Sequence, residues 1–316
     1  MKKWFQAFIL IGILTISASF AQEKVSLGVQ PWLGYGPWWI AQEKGFFEAN
    51  GVDVNLINFT WDQDMSAGLA SGNLDAQAAA TNTLITLINQ GIEVQGFLLM
   101  DASYEADAIM AAKEIATIKD LVGKKVAYEL GSTSDLLLNY ALNEAGYTIA
   151  DIEAVPMGAD AAGLSLITNR VDAAVTYEPY ISAALREGSG QHVIYTAAKK
   201  PGLISDIMIA RSEFINENPK AILGLAKAWN QAVQFLRDNP EEGGQIIAKA
   251  VGSPMDEFTV AFEGVKLYDF EQSNKELGGE FTDTFTTVAE IMMSQNPDEI
   301  SFVPEFSKAV NLSYVQ

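Results

Sequence analysis

Short apolar runs and longer amphipathic segments alternate along the chain from Val25 onward. Runs rich in valine, isoleucine and alanine predict strands, and segments with apolar residues three and four positions apart predict helices. Strands are predicted over residues 25–30, 53–59, 74–79, 93–100, 124–128, 152–156, 171–176, 192–196 and 207–210. Helices are predicted over residues 38–49, 65–71, 82–89, 134–145, 161–168, 179–187, 219–237, 240–251, 256–265 and 279–293. Such alternation is typical of an α/β protein with mostly parallel sheets flanked by helices.

A weak internal repeat predicts that the chain contains two similar units. Residues 69–76 (LASGNLDA) and 166–173 (LITNRVDA) share the order of helix end, polar turn and strand start. The chain is also too long for one typical hydrophobic core. We therefore predict two lobes joined by short crossings near Ala111 and Ser205. The first lobe would contain residues 22–110 and 208–316, and the second lobe residues 111–207.

Residues 1–21 have the pattern of a secretory signal peptide. Lys2 and Lys3 precede an apolar run, and Ser19-Phe-Ala21 forms a small-x-small cleavage site. The apolar run is shorter than the roughly 20 residues that a membrane span needs. The sequence contains no cysteine, which excludes disulfides and a lipid-carrying N-terminal cysteine. We expect an exported protein without a lipid anchor, in the periplasm of a Gram-negative cell.

The charge balance is strongly acidic, with 40 Asp and Glu against 20 Lys and Arg and a net charge of −20. A field of this sign repels nucleic acids and anionic lipids, so we expect neither as a partner. His192 is the only histidine, and the usual zinc ligand sets cannot form without cysteine. No nucleophile elbow, phosphate-binding loop or zinc-protease motif occurs. The sequence therefore predicts a protein that is not an enzyme and has no metal and no cofactor.

A loop of glycine and aromatic residues leads directly into the first predicted helix. It contains Trp32, Tyr35 and Trp38, and Pro37 suits a first helical turn because its missing N–H would have no partner there. Free backbone N–H groups and the positive end of the helix dipole lie at the same place. The loop thus predicts one wall of a site for a small polar solute with an apolar or cationic part.

Ligands of open α/β sheets bind beyond the carboxyl ends of the strands, where the next helix begins. Those positions hold acids, hydroxyls and aromatics, with neither lysine nor arginine among them. Carboxylates beside aromatic faces suit an ammonium or amidinium cation. A zwitterion also fits, with its anion on the N–H groups of residues 131–134 and its amine on Asp135, Glu178 or Asp206. The candidate ligand-binding residues are Trp32, Tyr35, Trp38, Trp61, Asp62, Thr81, Asn82, Asp101, Ser132, Thr133, Ser134, Asp135, Tyr177, Glu178 and Asp206.

Several candidates have a purely structural alternative. Asp62 and Asp64 precede a predicted helix and are suited to capping it. The hydroxyl groups of residues 132–134 are equally suited to capping the helix that follows them, and Glu178 stands at a helix start. Both interpretations stay open from the sequence alone.

Groups of residues spread over nearly the whole chain resemble one known family. They are Gly34-Tyr-Gly-Pro37 with Glu43-Lys-Gly-Phe-Phe47, residues 69–76, residues 121–127 (LVGKKVA) with Gly131-Ser-Thr-Ser134, residues 171–179 (VDAAVTYEP), and Asn239-Pro-Glu-Glu242 with Ile246-Ile-Ala248. In this order they resemble the solute-binding proteins of ABC importers. The similar branch includes taurine, aliphatic sulfonate, nitrate and thiamine-pyrimidine binders.

The resemblance implies a periplasmic-binding-protein fold of type II, whose two lobes close on one small-molecule solute and then dock on an inner-membrane ABC permease with its ATPase. In taurine-type members a loop at residues 131–134 receives the anionic group, and an aspartate near Asp206 meets an amine. Asp135 adds negative charge beside that loop, which favours an amine-bearing solute, either a zwitterion such as taurine or an organic cation. We expect a monomer. The alternatives are a sulfonate, nitrate or thiamine-pyrimidine precursor as the solute, a sensory solute-binding module, or an enzyme similar to a pyrimidine synthase.

Overall fold

The computed structural model of the protein describes residues 22–313, so the predicted signal peptide lies outside the described residues. Eleven strands lie within this range. They are β1 Glu23–Val29, β2 Val52–Asn58, β3 Ala76–Ala80, β4 Val94–Ser103, β5 Asp107–Ala111, β6 Lys125–Tyr128, β7 Glu153–Pro156, β8 Ala173–Tyr177, β9 His192–Thr196, β10 Ser205–Arg211 and β11 Val265–Leu267.

The same range, residues 22–313, contains fourteen α-helices. They are α1 Gly36–Glu43, α2 Phe46–Ala49, α3 Asp62–Ala70, α4 Thr81–Asn89, α5 Thr133–Glu144, α6 Ala159–Ile167, α7 Tyr180–Glu187, α8 Ser212–Glu217, α9 Pro219–Asp238, α10 Pro240–Val251, α11 Met255–Ala261, α12 Phe270–Leu277, α13 Phe281–Gln295 and α14 Phe306–Ala309. No helix between residues 22 and 313 has both the length and the apolar character that crossing a membrane requires.

The strands form two separate sheets. The first has the order β11-β4-β10-β3-β1-β2, and the second has the order β7-β6-β8-β5-β9. In each sheet most strands run in one direction: β10 and β11 run against the others in the first sheet, and β5 runs against the others in the second. Helices flank both sheets. The predicted α/β class with two lobes is therefore confirmed.

The chain passes between the sheets twice. The first passage lies between β4 and β5, over residues 104–106, and the second lies between β9 and β10, over residues 197–204. We propose these segments as the crossings. The predicted lobe boundaries at residues 110/111 and 207/208 fall inside β5 and β10, a few residues further along the chain.

Trp38 lies in the core of the first lobe. Helix α1 packs against α9, and the Trp38 ring lies 4.8 Å from that of Trp229 and 6.0 Å from that of Phe47, measured between centroids. Its side chain is fully buried, and its indole N–H points to the sulfur of Met100. The structure thus places this candidate behind the predicted aromatic wall, because the helical turn after Tyr35 directs it inward.

Replacing Trp38 by phenylalanine tests this core role. We expect the free energy of unfolding to fall by about 1–2 kcal/mol, because the substitution leaves a small cavity at a fully buried site. Binding of the solute should stay within about twofold of wild type, since additive effects hold for sites that share no partners. Urea unfolding and calorimetric titration measure the two quantities. A large loss of affinity at unchanged stability would instead place Trp38 in the ligand site.

The observed elements differ from the predicted ones in several places. The predicted helix over residues 38–49 is broken at Gly45, which has a left-handed φ of 69° and separates α1 from α2. Strands β5 and β11 and helix α12 were not predicted. β5 is a five-residue, alanine-containing strand (DAIMA), too short to stand out from the loops around it.

Candidate functional site

A cleft lies between the two sheets and is lined by residues from both lobes. It encloses about 360 Å³, its open mouth included. The parallel strands end at the cleft, whereas the antiparallel strands β5 and β10 begin there. The lining residues are Gln30, Trp32, Tyr35, Asp62, Ala80, Asp107, Glu129, Ser132, Thr133, Tyr177, Ile204 and Asp206.

Two carboxyl groups stand side by side in the first lobe, of which Asp206 lines the cleft and Asp101 does not. Asp101 on β4 and Asp206 on β10 are opposite residues of an antiparallel pair, and both are buried. The Trp32 indole N–H donates to Asp101 Oδ1 at 3.0 Å, and the Tyr35 hydroxyl donates to Asp206 Oδ1 at 3.2 Å. A side chain at Gly34 would be displaced by these groups, because its Cβ would lie 2.4 Å from Asp101 Oδ1. The glycine lets the aromatic loop press against the acid pair.

A second pair of carboxyl groups bridges the lobes. Asp62 opens helix α3 in the first lobe, and Glu129 follows β6 in the second. The backbone N–H of Asp62 donates to Glu129 Oε1 at 2.8 Å. The other oxygens, Asp62 Oδ1 and Glu129 Oε2, are buried without a hydrogen-bonding partner, as is Asp101 Oδ2 in the first pair. Buried acceptors of this kind are costly unless a donor reaches them.

Burial raises the pKa values of the acids in this cleft. Burial, followed by the charge of Asp206, raises the pKa of Asp62 to about 7. Burial raises the pKa of Asp101 and of Asp107 to about 7, and that of Glu129 to about 8. The pKa of Asp206 rises well above its ordinary value, from burial first and the charge of Asp101 second. A cation entering the cleft would supply the positive charge that these protons supply otherwise.

Aromatic rings complete the cleft walls and also connect the lobes. Trp32 from the first lobe meets Tyr177 from the second edge-on, with ring centroids 5.8 Å apart. Tyr177 in turn contacts Tyr180 at 5.4 Å. With Tyr35, these rings offer apolar faces and electron-rich surfaces, which attract ammonium groups and methylene chains alike. Neither lysine nor arginine occurs among the residues that line the cleft.

The loop at residues 131–134 uses several of its own N–H groups internally. The Gly131 N–H donates to Asp135 Oδ2 at 3.0 Å, and the Ser134 N–H donates to Ser132 Oγ at 3.1 Å, which caps α5. The Thr133 hydroxyl donates to Asp107 Oδ1 at 3.2 Å. The carboxylate of Asp135 therefore occupies a backbone N–H group that a bound anion would need. Ser132 and Thr133 line the cleft, whereas Ser134 and Asp135 do not.

Two further candidates form hydrogen bonds to backbone carbonyl groups, one within the first lobe and one between the lobes. The Thr81 hydroxyl donates to the Ser205 carbonyl at 2.9 Å, beside the cleft floor. The Asn82 side-chain amide donates to the Gly131 carbonyl at 3.4 Å, which joins the first lobe to the second. Both residues are buried and stand next to the cleft without lining it.

The remaining two candidates, Trp61 and Glu178, also do not line the cleft. Trp61 is 37% exposed and faces the second lobe at Gly158, where an added Cβ would lie 3.2 Å from the indole. The Glu178 carboxylate accepts from the Ser182 N–H at 3.1 Å and from its hydroxyl at 2.9 Å, so it braces its own helix. Of the fifteen candidates named from the sequence, the cleft is thus lined by Trp32, Tyr35, Asp62, Ser132, Thr133, Tyr177 and Asp206.

Sequence reasoning missed Asp107 as a cleft residue. It starts strand β5, which pairs antiparallel with β8 and places Asp107 opposite Tyr177. Because β5 runs against its neighbour, its first residue and not its last faces the cleft. Gln30 and Ile204 were also not predicted, while Glu129 stood at a predicted strand end without being chosen. An acid at the start of an antiparallel strand is the signal that could have found Asp107.

The two sheets, their flanking helices and the cleft between them define a two-lobed α/β protein of the periplasmic-binding-protein type. The fold is similar to that of the periplasmic aliphatic sulphonate binding protein SsuA from Escherichia coli, with a TM-score of 0.75 and 22% identity, over 93% of this chain and 99% of that one. The desulfurization enzyme DSZB shares the fold with a TM-score of 0.67 and 13% identity, over 93% and 98% of the chains. These similarities describe the fold alone.

The family model described as NMT1/THI5 like matches residues 34–243, and the chain belongs to this family. A putative binding protein of Brucella abortus is 26% identical over 214 residues, which are 66% of each chain. The taurine-binding periplasmic protein of Escherichia coli K12 is 22% identical over 309 residues, covering 94% of this chain and 95% of that protein. The family resemblance predicted from the sequence is confirmed.

Proposed function

We propose that this chain is the solute-binding component of an ABC importer and that it captures an amine-bearing organic solute in the cleft between its lobes. The observation that carries the proposal is the chemistry of the lining: four carboxyl groups and three aromatic rings, with no basic side chain. Such a lining suits a cation. The names of the relatives, binding proteins among them, support the transport class.

An amine suits this cleft better than a sulfonate or nitrate does. An anion usually needs an arginine, a lysine or free backbone N–H groups. The cleft provides neither of the first two, and Asp135 and Ser132 already accept from N–H groups of the loop at residues 131–134. A zwitterion such as taurine could place its amine on the acids, but its sulfonate would find neither a basic side chain nor enough free backbone N–H groups. Within the amine-bearing class we therefore favour an organic cation.

The mechanism is closure of the two lobes on the solute. Three contacts already join the lobes around the cleft: Asp62 to Glu129, Asn82 to Gly131, and Trp32 to Tyr177. Buried carboxylates are unfavourable without a counter-charge, so the ionised closed state gains most from a cation. A solute shifts the equilibrium towards closure only by its greater affinity for the closed form. The closed form would then present both lobes to a membrane permease, in the periplasm where the predicted signal peptide would send the chain.

A thermal-shift screen of residues 22–316 in phosphate buffer tests this function. The panel pairs compounds of equal carbon number: 1-aminopentane with pentane-1-sulfonate, and taurine with ethane-1-sulfonate; nitrate and a thiamine pyrimidine complete it. A solute present at a hundred times its dissociation constant adds about 2.7 kcal/mol to the free energy of unfolding, a shift of several degrees. We expect shifts from the amines only. A shift from sulfonates or nitrate without any from amines would refute the amine assignment.

A further inference from the structure

We infer that the solute carries two cationic, N–H-bearing nitrogens joined by a short apolar spacer, as in an α,ω-diamine, with one nitrogen held by each carboxyl pair of the cleft. This inference rests on the proposed function and specifies its substrate class. The first pair is Asp101 with Asp206, on neighbouring strands of the first sheet. The second is Asp62 with Glu129, one residue from each lobe.

Unpartnered oxygens are the first observation behind this assignment. Asp62 Oδ1 and Glu129 Oε2 belong to side chains that line the cleft, and the two residues are 7% and 0% exposed. In the other pair Asp101 Oδ2 has no N–H partner, and the neighbouring carboxyl group of Asp206 is the donor within its reach. Carboxylate oxygens only accept hydrogen bonds, so each position requires an N–H or O–H donor. A quaternary ammonium has no such donor and would leave Asp62 Oδ1 and Glu129 Oε2 unsatisfied.

Charge balance is the second observation. Asp101 and Asp206 are neighbouring carboxyl groups that disfavour each other's ionisation, so this pair carries one negative charge more readily than two, and Asp62 and Glu129 add one acid from each lobe. When they ionise, these acids, with Asp107 also in the lining, require more than one positive charge, and the lining provides no lysine or arginine to supply it. A monocation would leave one pair without a counter-charge inside a closed cleft. A dication satisfies both.

The apolar walls suit the spacer between the nitrogens. Trp32 and Tyr177 meet edge to face across the lobes, and Tyr35 holds Asp206 through its hydroxyl. Their rings can cover a short methylene chain while its ends reach the two acid pairs. The enclosed space between the closed lobes is only about 20 Å³, so the spacer has to enter while the lobes are apart.

Calorimetric titration of residues 22–316 at pH 7.5 in phosphate tests the inference with two compounds of equal heavy-atom number. In 1,4-diaminobutane a second ammonium replaces the terminal methyl of 1-aminopentane. We expect the diamine to bind at least about a hundredfold more tightly, because the monoamine leaves a buried charge pair unmatched. Equal affinities, or tighter binding of the monoamine, would overturn the two-cation assignment and leave the proposed function standing. Binding of pentane-1-sulfonate with no binding of either amine would overturn both.

A substitution that removes one carboxyl charge but keeps the side-chain shape tests where the second nitrogen binds. Glu129→Gln keeps the side-chain shape and one acceptor while it removes the charge, so the diamine should lose about thirtyfold or more in affinity and the monoamine little. Asp62→Asn should act in the same way. Glu153→Gln, an exposed acid of the same lobe, serves as the matched control and should change neither affinity. Equal losses for both amines in Glu129→Gln and Asp62→Asn, with thermal unfolding as for wild type, would refute the placement.

Discussion

Replacing Asp206 by asparagine is expected to weaken binding of an amine solute by about 30- to 5,000-fold. Asp206 is buried at the cleft wall, beside Asp101 and in contact with the Tyr35 hydroxyl. Removal of one partner from a buried, hydrogen-bonded charge pair typically costs about 2–5 kcal/mol of binding free energy. Asparagine keeps the size of the side chain, so the loss would report charge. Calorimetric titration with 1,4-diaminobutane measures it.

The same variant should unfold at an equal or higher urea concentration than wild type at pH 8. A buried acid that must ionise without a counter-charge destabilises the ligand-free protein, and asparagine removes that cost. Affinity and stability would therefore move in opposite directions, which a merely structural residue would not show. Asp53→Asn, at an exposed position of β2, is the matched control and should change neither quantity. Unchanged affinity in Asp206→Asn would remove Asp206 from the site.

The ligand-free protein is expected to lose stability as the pH rises from about 5 to 8. In the folded state the pKa values of Asp62, Asp101 and Asp107 are about 7, and that of Glu129 is about 8, all raised by burial. In the unfolded chain these groups titrate near pH 4. Between the two pKa values the folded state holds more protons than the unfolded state, so the free energy of unfolding falls with rising pH. The fall should be on the order of several kcal/mol, below a simple sum because the acids interact.

Urea unfolding at pH 5.5, 7 and 8.5 in amine-free buffers checks this trend. Surface acids with lowered pKa values, such as Asp269, act in the opposite direction but lose their contribution only below their ordinary value near 4, outside the window. A saturating diamine should flatten the slope, because it pairs with the ionised acids. A stability that stays level or increases over this range would contradict the account of a buried, proton-holding cleft.

The alternation of strands and helices was sufficient to predict the α/β class, because central strands such as β3, β8 and β10 are short buried apolar runs between helical segments. The rule that ligands bind beyond strand ends also found Trp32, Asp62 and Tyr177, and Asp206 was found because it precedes a predicted return strand; all four line the cleft. It failed at Asp107 for a topological reason. Strand direction depends on pairing with β8, and pairing between distant residues leaves no local trace in the sequence.

Local spacing also could not separate ligand groups from internal partners. Trp38 follows Tyr35 by three residues on one predicted surface, yet the turn into α1 buries it against Trp229. Asp135 appeared to add charge to an anion seat, but its carboxylate accepts from the Gly131 N–H and from Asn139. Both outcomes depend on side-chain directions that the tertiary structure decides. The pairing of Asp62 with Glu129 across the lobes is likewise visible only once the lobes are placed together.

The most direct test of cation capture is a potentiometric titration that counts the protons exchanged on binding. The ligand-free protein, residues 22–316, is held at pH 7.5 without buffer, and 1,4-diaminobutane dihydrochloride is added until binding saturates. A cation that pairs with the buried acids should displace their protons, so we predict a release of about one proton or more per bound solute. Saturable binding of pentane-1-sulfonate with proton uptake, and no release with the diamine, would contradict the account.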